Sequence, residues 1–227
     1  MLSFFDGVAQ DGQSARLRRP TSRDYRLKRA GDILISGSAL VFFLPFFALI
    51  AVALLLVDGR PLIFRHERVG RYGRSFSCLK FRSMRKDADA RLASILANDP
   101  VRRAEWNETQ KLVNDPRVHW LGKYLRMTSL DELPQLWNVF CGDMSLVGPR
   151  PIVAEEMERY GRQIHYYLAM TPGLTGLWQV HRNKDTTYDE RVQFDVDYYH
   201  SCSMSADLKI IWKTIGIVLF ARNESTR

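Results

Sequence analysis

Residues Ile33 to Val57 read ILISGSALVFFLPFFALIAVALLLV, 25 positions without a charge. A straight helix of that length rises about 37 Å, more than the roughly 30 Å of a hydrocarbon core, so length alone suits a transmembrane span. Two features resist that reading. Pro45, in the middle, removes a backbone hydrogen bond and its ring collides with the preceding turn. Basic residues crowd both ends, so the positive-inside rule selects no orientation and permits both ends on the cytoplasmic side. A re-entrant helix that enters one leaflet, bends at Leu44-Pro45 and returns satisfies both features. It is the expectation here, with a straight span as the alternative. A buried core helix is the bland reading, but Val41 to Ala53 has no polar face to give to water. A cleavable signal peptide fits poorly, because the run is too long and the basic region before it too extended.

Working outward, the charge of the chain collects around this segment. The 227 residues carry 33 Lys and Arg against 25 Asp and Glu, a formal +8. Arg16 to Arg29 holds seven basic residues and one acidic, and Arg60 to Lys86 holds nine and one. The remaining 17 basic and 23 acidic residues are net −6, so the whole positive excess flanks the apolar run. A basic balance points to anionic partners, nucleic acid, anionic lipid or phosphorylated substrates, without choosing among them. With 46% hydrophobic and 26% charged residues, the chain can bury a core, which excludes global disorder. Cys78, Cys141 and Cys202 are odd in number and widely spaced, with no disulfide framework or zinc spacing. A reducing cytosolic face follows most simply. The five histidines include no HExxH pair, and His66 beside Glu67 reads as an ordinary strand neighbour.

Residues 1–24 read as a mobile tail, 25–58 as the re-entrant helix with its basic lead-in, and 59–227 as a cytosolic catalytic domain. The expected class is α/β, mostly helical and membrane-associated, with a small β-hairpin and surface amphipathic helices. Leu62 to Val69 and Ser75 to Phe81 form the hairpin around Gly70-Arg71-Tyr72-Gly73. Arg85 to Ala97 has helical spacing and stops at Asn98-Asp99-Pro100, and a polar stretch leads to Asp115-Pro116. Arg117 to Arg126 is basic and amphipathic. Leu133 to Phe140 is a short helix ended at Gly142, and Val147 to Pro151 is a rigid loop. Two helices, Tyr188 to Tyr199 and Ala206 to Phe220 with Ser205 as cap, follow the Gly/Pro-rich Thr171 to Gly176. In the last, Leu208, Ile211, Trp212, Ile215, Val218 and Leu219 make one apolar face, suited equally to core packing and to a membrane interface.

The densest chemistry lies in Thr128-Ser129-Leu130-Asp131-Glu132-Leu133-Pro134-Gln135. Ser129 and Glu132 have capping-box spacing, a purely structural reading. Pro134 strains it, since from Ser129 it falls at the fifth helical position, where a donor is wanted. A helix starting later presents Asp131 at or just before its N-terminus, exposed and held ionised by the oriented amides, as a carboxylate nucleophile requires. Lys80, Arg82, Arg126 and Arg150 supply cations. Each alone reads as a surface charge; together they resemble a phosphate-handling set. A carboxylate attacking a diphosphate needs a divalent ion, Mg2+ by hardness, and Arg/Lys clamps. Neither a P-loop nor GxGxxG occurs.

Four blocks stand in the order and spacing of one family: Lys80-Phe81-Arg82-Ser83-Met84; Thr128 through Val139; Gly142 through Pro151; and Pro172 through Val180. Over roughly residues 25–222 the chain resembles the bacterial sugar transferases, specifically the small monotopic phosphoglycosyl transferases of the exopolysaccharide-priming, ExoY-like type. The resemblance implies transfer of a sugar 1-phosphate, galactose or glucose, from a UDP-sugar to undecaprenyl phosphate at the cytoplasmic face of the bacterial inner membrane. It implies a covalent phosphosugar on Asp131, which is also the Mg2+ ligand, with Glu132 assisting. By the same resemblance Lys80, Arg82 and Arg126 contact phosphates, Arg150 meets the nucleotide diphosphate, Gln179 belongs to the substrate- and phosphate-binding set, and the helix breaks at Pro45. The chain departs from the family in carrying Leu44-Pro45 for Ser-Pro. His181-Arg182-Asn183 replaces Ser/Asn-Gly-Arg, which weakens a nucleotide role for Arg182. A non-catalytic lipid-binding adaptor is the rival reading, and it has no use for the acidic dyad. Nucleic acid is the least expected partner, and homo-oligomerisation is left open.

Overall fold

In the computed structural model, which describes residues 22–109, 112–183 and 186–220, the apolar run folds as two helices. Helix α1 (Ser22–Phe42) and helix α2 (Leu44–Asp58) are bent by 57°. The bend falls at Phe43, one residue before the expected Leu44-Pro45. Pro45 lies in the first turn of α2, where its missing donor has no intrahelical partner to lose. No single helix among the described residues is long and apolar enough to cross a membrane, although this bent pair is so jointly. Residues 1–21 of the expected tail lie outside the described residues, and its last three residues already belong to α1.

Both ends of the bent pair are tied down by polar groups. Near the start of α1, Lys28 pairs with Asp207 and donates to the Tyr198 hydroxyl. The Arg29 guanidinium donates to Val139 O and Phe140 O, at 2.5 and 2.7 Å. Asp32 Oδ1 accepts from Leu146 N at 3.0 Å. At the other end, Arg82 Nη2 donates to Asp58 O at 3.1 Å and Gly59 O at 2.7 Å, and pairs with the Asp58 carboxylate at 2.9 Å. The apex between them is bare: Val41, Phe42, Leu44 and Leu49 are each at least 65% exposed.

The hairpin forms as the alternation predicts, β1 (Ile63–Val69) antiparallel to β2 (Ser75–Phe81), with Phe64 opposite Lys80. Helix α3 (Ala88–Asn98) is followed at once by α4 (Pro100–Thr109), where the sequence suggested only a polar stretch. Asp99 explains the difference, since its carboxylate accepts from Val101 N and Arg102 N, and Pro100 is a good first residue. The same Asp-Pro that stops one helix starts the next. A bridge between Met84 and Val118 closes this excursion and leads to α5 (Trp120–Met127).

After α5, a 3-10 turn (Leu130–Glu132) precedes α6 (Gln135–Cys141), which ends at Gly142 with φ +100°. The segment β3 (Ser145–Val147) pairs in parallel with β4 (Gly173–Thr175), enclosing a 3-10 stretch (Ala154–Gln163) and α7 (Ile164–Ala169). None of these was legible beforehand, because three-residue strands carry too little periodicity. Helix α8 (Leu177–His181), α9 (Tyr188–Ser201) and α10 (Met204–Phe220) complete the fold. Ser203 rather than Ser205 caps α10, its Oγ accepting from Ala206 N. The largest core cluster gathers Val139, Met144, Val147, Tyr198 and Ile210 where β2, α6, β3 and α10 meet. A second packs Ile50 and Leu54 of α2 on Phe81 and Leu125.

Most of the exposed large apolar residues lie on a few helices. Besides the apex they include Trp120 and Tyr124 on α5, Trp137 and Phe140 on α6, and Leu208, Trp212, Ile215 and Val218 on α10. Of the two readings left open for α10, core packing holds for Ile210 and partly for Ile211, but not for these four.

Candidate active site

The dyad sits on the 3-10 turn between α5 and α6. Ser129 enters it at φ +56°, a left-handed conformation that ends α5 and redirects the chain. Its side chain makes no cap bond, so the capping box suggested by Ser129 and Glu132 does not form. The Glu132 carboxylate instead meets Lys80 Nζ at 2.6 Å. Lys80 is the last but one residue of β2, and Asn138 holds that strand in place. Its Oδ1 accepts from Leu79 N at 3.0 Å and its Nδ2 donates to Ser77 O at 2.8 Å, filling the edge that β1 leaves open.

Asp131 is 8% exposed, not displayed on the surface as the sequence suggested. Burial, and then the neighbouring Glu132 charge, push its pKa up to about 6, against the opposing influence of Lys80 and Arg126. With a pKa of about 6 the carboxylate is still ionised near neutral pH, but the α6 amides are not what holds it so, because Asp131 lies on a tight turn four residues ahead of that helix. Burial also works on Glu132, but Lys80, and beyond it Arg150 and Arg182, hold that carboxylate below its usual range. Two adjacent carboxylates thus differ in proton affinity, the uncommitted one binding its proton more tightly. No side chain among the described residues hydrogen-bonds the Asp131 carboxylate. No group of three His, Cys, Asp or Glu side chains among them converges as a metal cage. A free carboxylate with no cage fits an ion held chiefly by substrate phosphates.

The expected cations divide. Arg126 extends from α5, its Nε donating to Ser83 Oγ at 2.8 Å, and its charge reaches Asp131. Arg82 is 7% exposed and bound to the end of α2, which removes it from the set free to meet a phosphate. Arg150 reaches the site through three glycines that let backbones touch. A Cβ on Gly173 would stand 2.1 Å from Gly148 N, and one on Gly176 2.1 Å from Gly148 O. This contact brings Arg150, two residues past Gly148, over the ring of Trp178, two residues past Gly176, at 5.7 Å from the centroid. Gln179 follows directly, with its Oε1 buried.

Two further arginines stand around the same indole, Arg182 at 5.2 Å and Arg191 at 5.3 Å. Arg182, discounted because of its shifted motif, is thereby restored to the site and bears electrostatically on Glu132. Arg191 was missed. It is buried on α9 and paired with Glu156 at 3.2 Å, and a charged residue in that helix's core-facing register was the available signal.

The family model for bacterial sugar transferases matches residues 23–221, a range containing every residue of this site. The chain belongs to the bacterial sugar transferase family. Within it, the exopolysaccharide production protein ExoY of Rhizobium meliloti is 46% identical over 195 residues, 86% of each chain, so this sugar transferase is of ExoY type. The UDP-galactose-lipid carrier transferase of Erwinia amylovora is 49% identical over 193 residues, 85% of this chain. The UDP-glucose:undecaprenyl-phosphate glucose-1-phosphate transferase of Escherichia coli is 38% identical over 197 residues. The chain spans about two fifths of the length of these last two relatives.

Proposed function

We propose that this sugar transferase moves a hexose 1-phosphate from a UDP-sugar to undecaprenyl phosphate, the first membrane step of exopolysaccharide synthesis. The observation that carries the reading is the uncommitted, buried carboxylate of Asp131 beside the Lys80–Glu132 pair and the arginines around Trp178. An adaptor that only binds lipid has no use for a carboxyl shifted in this way.

In the first step, a carboxylate oxygen of Asp131 attacks the phosphorus that bears the sugar. The bond from that phosphorus to the bridging oxygen breaks, and UMP leaves with the electron pair. In the second step, an oxygen of undecaprenyl phosphate attacks the same phosphorus, giving the lipid diphosphate sugar and freeing Asp131. Glu132, held ionised by Lys80, orients that ammonium toward the phosphates or accepts the proton of the lipid phosphate. Arg126, Arg150 and Arg182 offset the charge of the diphosphate and of the departing UMP. Asp131, with Glu132 beside it, would hold Mg2+, which when bound neutralises phosphate charge.

The bent pair supports insertion in one leaflet. Arms of 21 and 15 residues, about 31 and 22 Å long and bent by 57°, set the apex only about 12 Å above the line joining their ends, less than half of a roughly 30 Å core. With both ends tied to one catalytic unit, the active site lies at the cytoplasmic surface of the inner membrane, where the lipid phosphate is presented.

Purified protein with undecaprenyl phosphate, Mg2+ and a panel of UDP-sugars should release UMP from one or a few donors, and Asp131→Asn should abolish release. Near-normal turnover by that variant would remove Asp131 as nucleophile.

A further inference from the structure

The face of the hairpin that delivers Lys80 carries two side chains to which the mechanism gives no task. Cross-strand partners share a face, and the register pairs Phe64 with Lys80 and His66 with Cys78. The strip that sends Lys80 to Glu132 therefore also presents Phe64, His66 and Arg68. Arg68 closes its far end, Nη1 donating at 3.3 Å to the carbonyl of Pro151, the residue after Arg150. Phe64 is half exposed, and its ring lies 5.8 Å from the His66 imidazole, tilted by 58°.

His66 has a fixed tautomer. Arg68 Nη2 stands 3.0 Å from His66 Nδ1. A guanidinium only donates, so Nδ1 accepts and the ring proton resides on Nε2. Burial, followed by the charges of Arg68 and Lys80, lowers the pKa of His66 and keeps the ring neutral. The strip thus offers an open aromatic face and a directional N–H donor, between Lys80 on one side and the Arg150 loop on the other.

We propose that Phe64 and His66 form the hexose subsite of the donor, Phe64 covering the C–H face of the sugar ring and His66 Nε2–H donating to a ring hydroxyl. The inference rests on the transferase reading above and assigns the part of the donor that reading leaves open. Arginines recognise the diphosphate but do not separate epimers, which differ only in the direction of one hydroxyl. A fixed donor does separate them, because the wrong epimer leaves a buried polar group unpaired. The apolar C–H face of a pyranose suits an aromatic ring. Sequence alone made His66 an ordinary strand neighbour; the register and the Arg68 contact change that.

The test measures UMP release from UDP-galactose and UDP-glucose, which differ only at C4, by wild type and by His66→Ala, His66→Leu, His66→Gln, Phe64→Ala and Phe64→Trp. Undecaprenyl phosphate is saturating, and inhibition by UMP is measured alongside. His66→Ala should change the ratio of kcat/KM for the two donors by about tenfold, while His66→Gln, whose amide also donates, stays nearer wild type. Phe64→Ala should raise the KM of the preferred donor about tenfold, and Phe64→Trp should restore it. UMP inhibition should stay within twofold throughout. If His66→Ala does not fold, His66→Leu decides, since it fills the space without the donor. A donor ratio within twofold of wild type overturns the subsite, as does a KM loss matched by weaker UMP inhibition or by a raised KM for undecaprenyl phosphate. A wild type inactive with every UDP-sugar would sink the transferase reading and the subsite with it, a result distinct from an active enzyme whose donor ratio is insensitive.

Discussion

Asp131 joins the chemistry of the site to its stability. Its folded pKa of about 6 lies above the ordinary carboxylate value of 3.8, so the folded state holds more protons than the unfolded chain between about pH 4 and pH 6. Stability therefore falls as pH rises through that window, and ionised Asp131 costs up to about 3 kcal/mol above it. Asp131→Asn is expected to melt higher than wild type at pH 7.5, with the gain shrinking toward pH 4; thermal denaturation at both pH values reads this. In wild type, kcat/KM for the donor should fall with acid around pH 6, where Asp131, the proposed nucleophile, becomes protonated. Arg182→Ala tests the other residue that the structure repositioned. On the proposed reading Arg182 meets the diphosphate, and a charge-assisted contact of that kind is worth roughly 1.5–3 kcal/mol, so donor KM should rise at least tenfold at unchanged melting temperature. An unchanged KM would return Arg182 to the solvated surface.

At the scale of elements, Lys80-Phe81-Arg82-Ser83 joins the end of β2 to three neighbours, the turn carrying Glu132, α2 and α5. Lys80 reaches Glu132, Phe81 packs on α2, Arg82 holds the last carbonyls of α2, and Ser83 receives Arg126. The motif was legible in the sequence, but its division of labour was not, because adjacent strand residues point to opposite faces and which face meets which helix is a tertiary matter. Arg82→Ala would leave the partly buried Asp58 carboxylate and the carbonyls of Asp58 and Gly59 without their partner, a loss of about 3 kcal/mol in folding stability by denaturant titration in detergent. Arg82→Lys should recover only part of it, since one ammonium does not reproduce the guanidinium fork. If Arg82 were instead a phosphate ligand, Arg82→Ala would raise a substrate KM with stability unchanged.

For the whole molecule, the bent pair, α5, α6 and α10 carry most of the exposed large apolar side chains, while both ends of the bent pair are anchored to the catalytic unit. In cells whose protein has Cys78, Cys141 and Cys202 removed, single cysteines at Ala30→Cys and Arg60→Cys should both be shielded from an impermeant thiol reagent added to the periplasm. Labelling at one of them would establish a straight span. The 25-residue uncharged run, its central proline, the basic windows, the hairpin and the four family blocks were all readable from the chain alone, since hydrophobic length, a missing backbone donor and a period-2 pattern are local properties. The sequence by itself thus determined an apolar helix broken near Pro45, a basic surface on both sides of it, and Asp131 with its cation partners. Only the tertiary structure decided that Asp131 is buried and weakly acidic, that Arg82 serves α2, that Arg182 and Arg191 close on Trp178, and that His66 shares a face with Lys80. Proton affinity and contact depend on what the fold brings within a few ångströms, and the glycine contacts of Gly148, Gly173 and Gly176 join segments more than twenty residues apart.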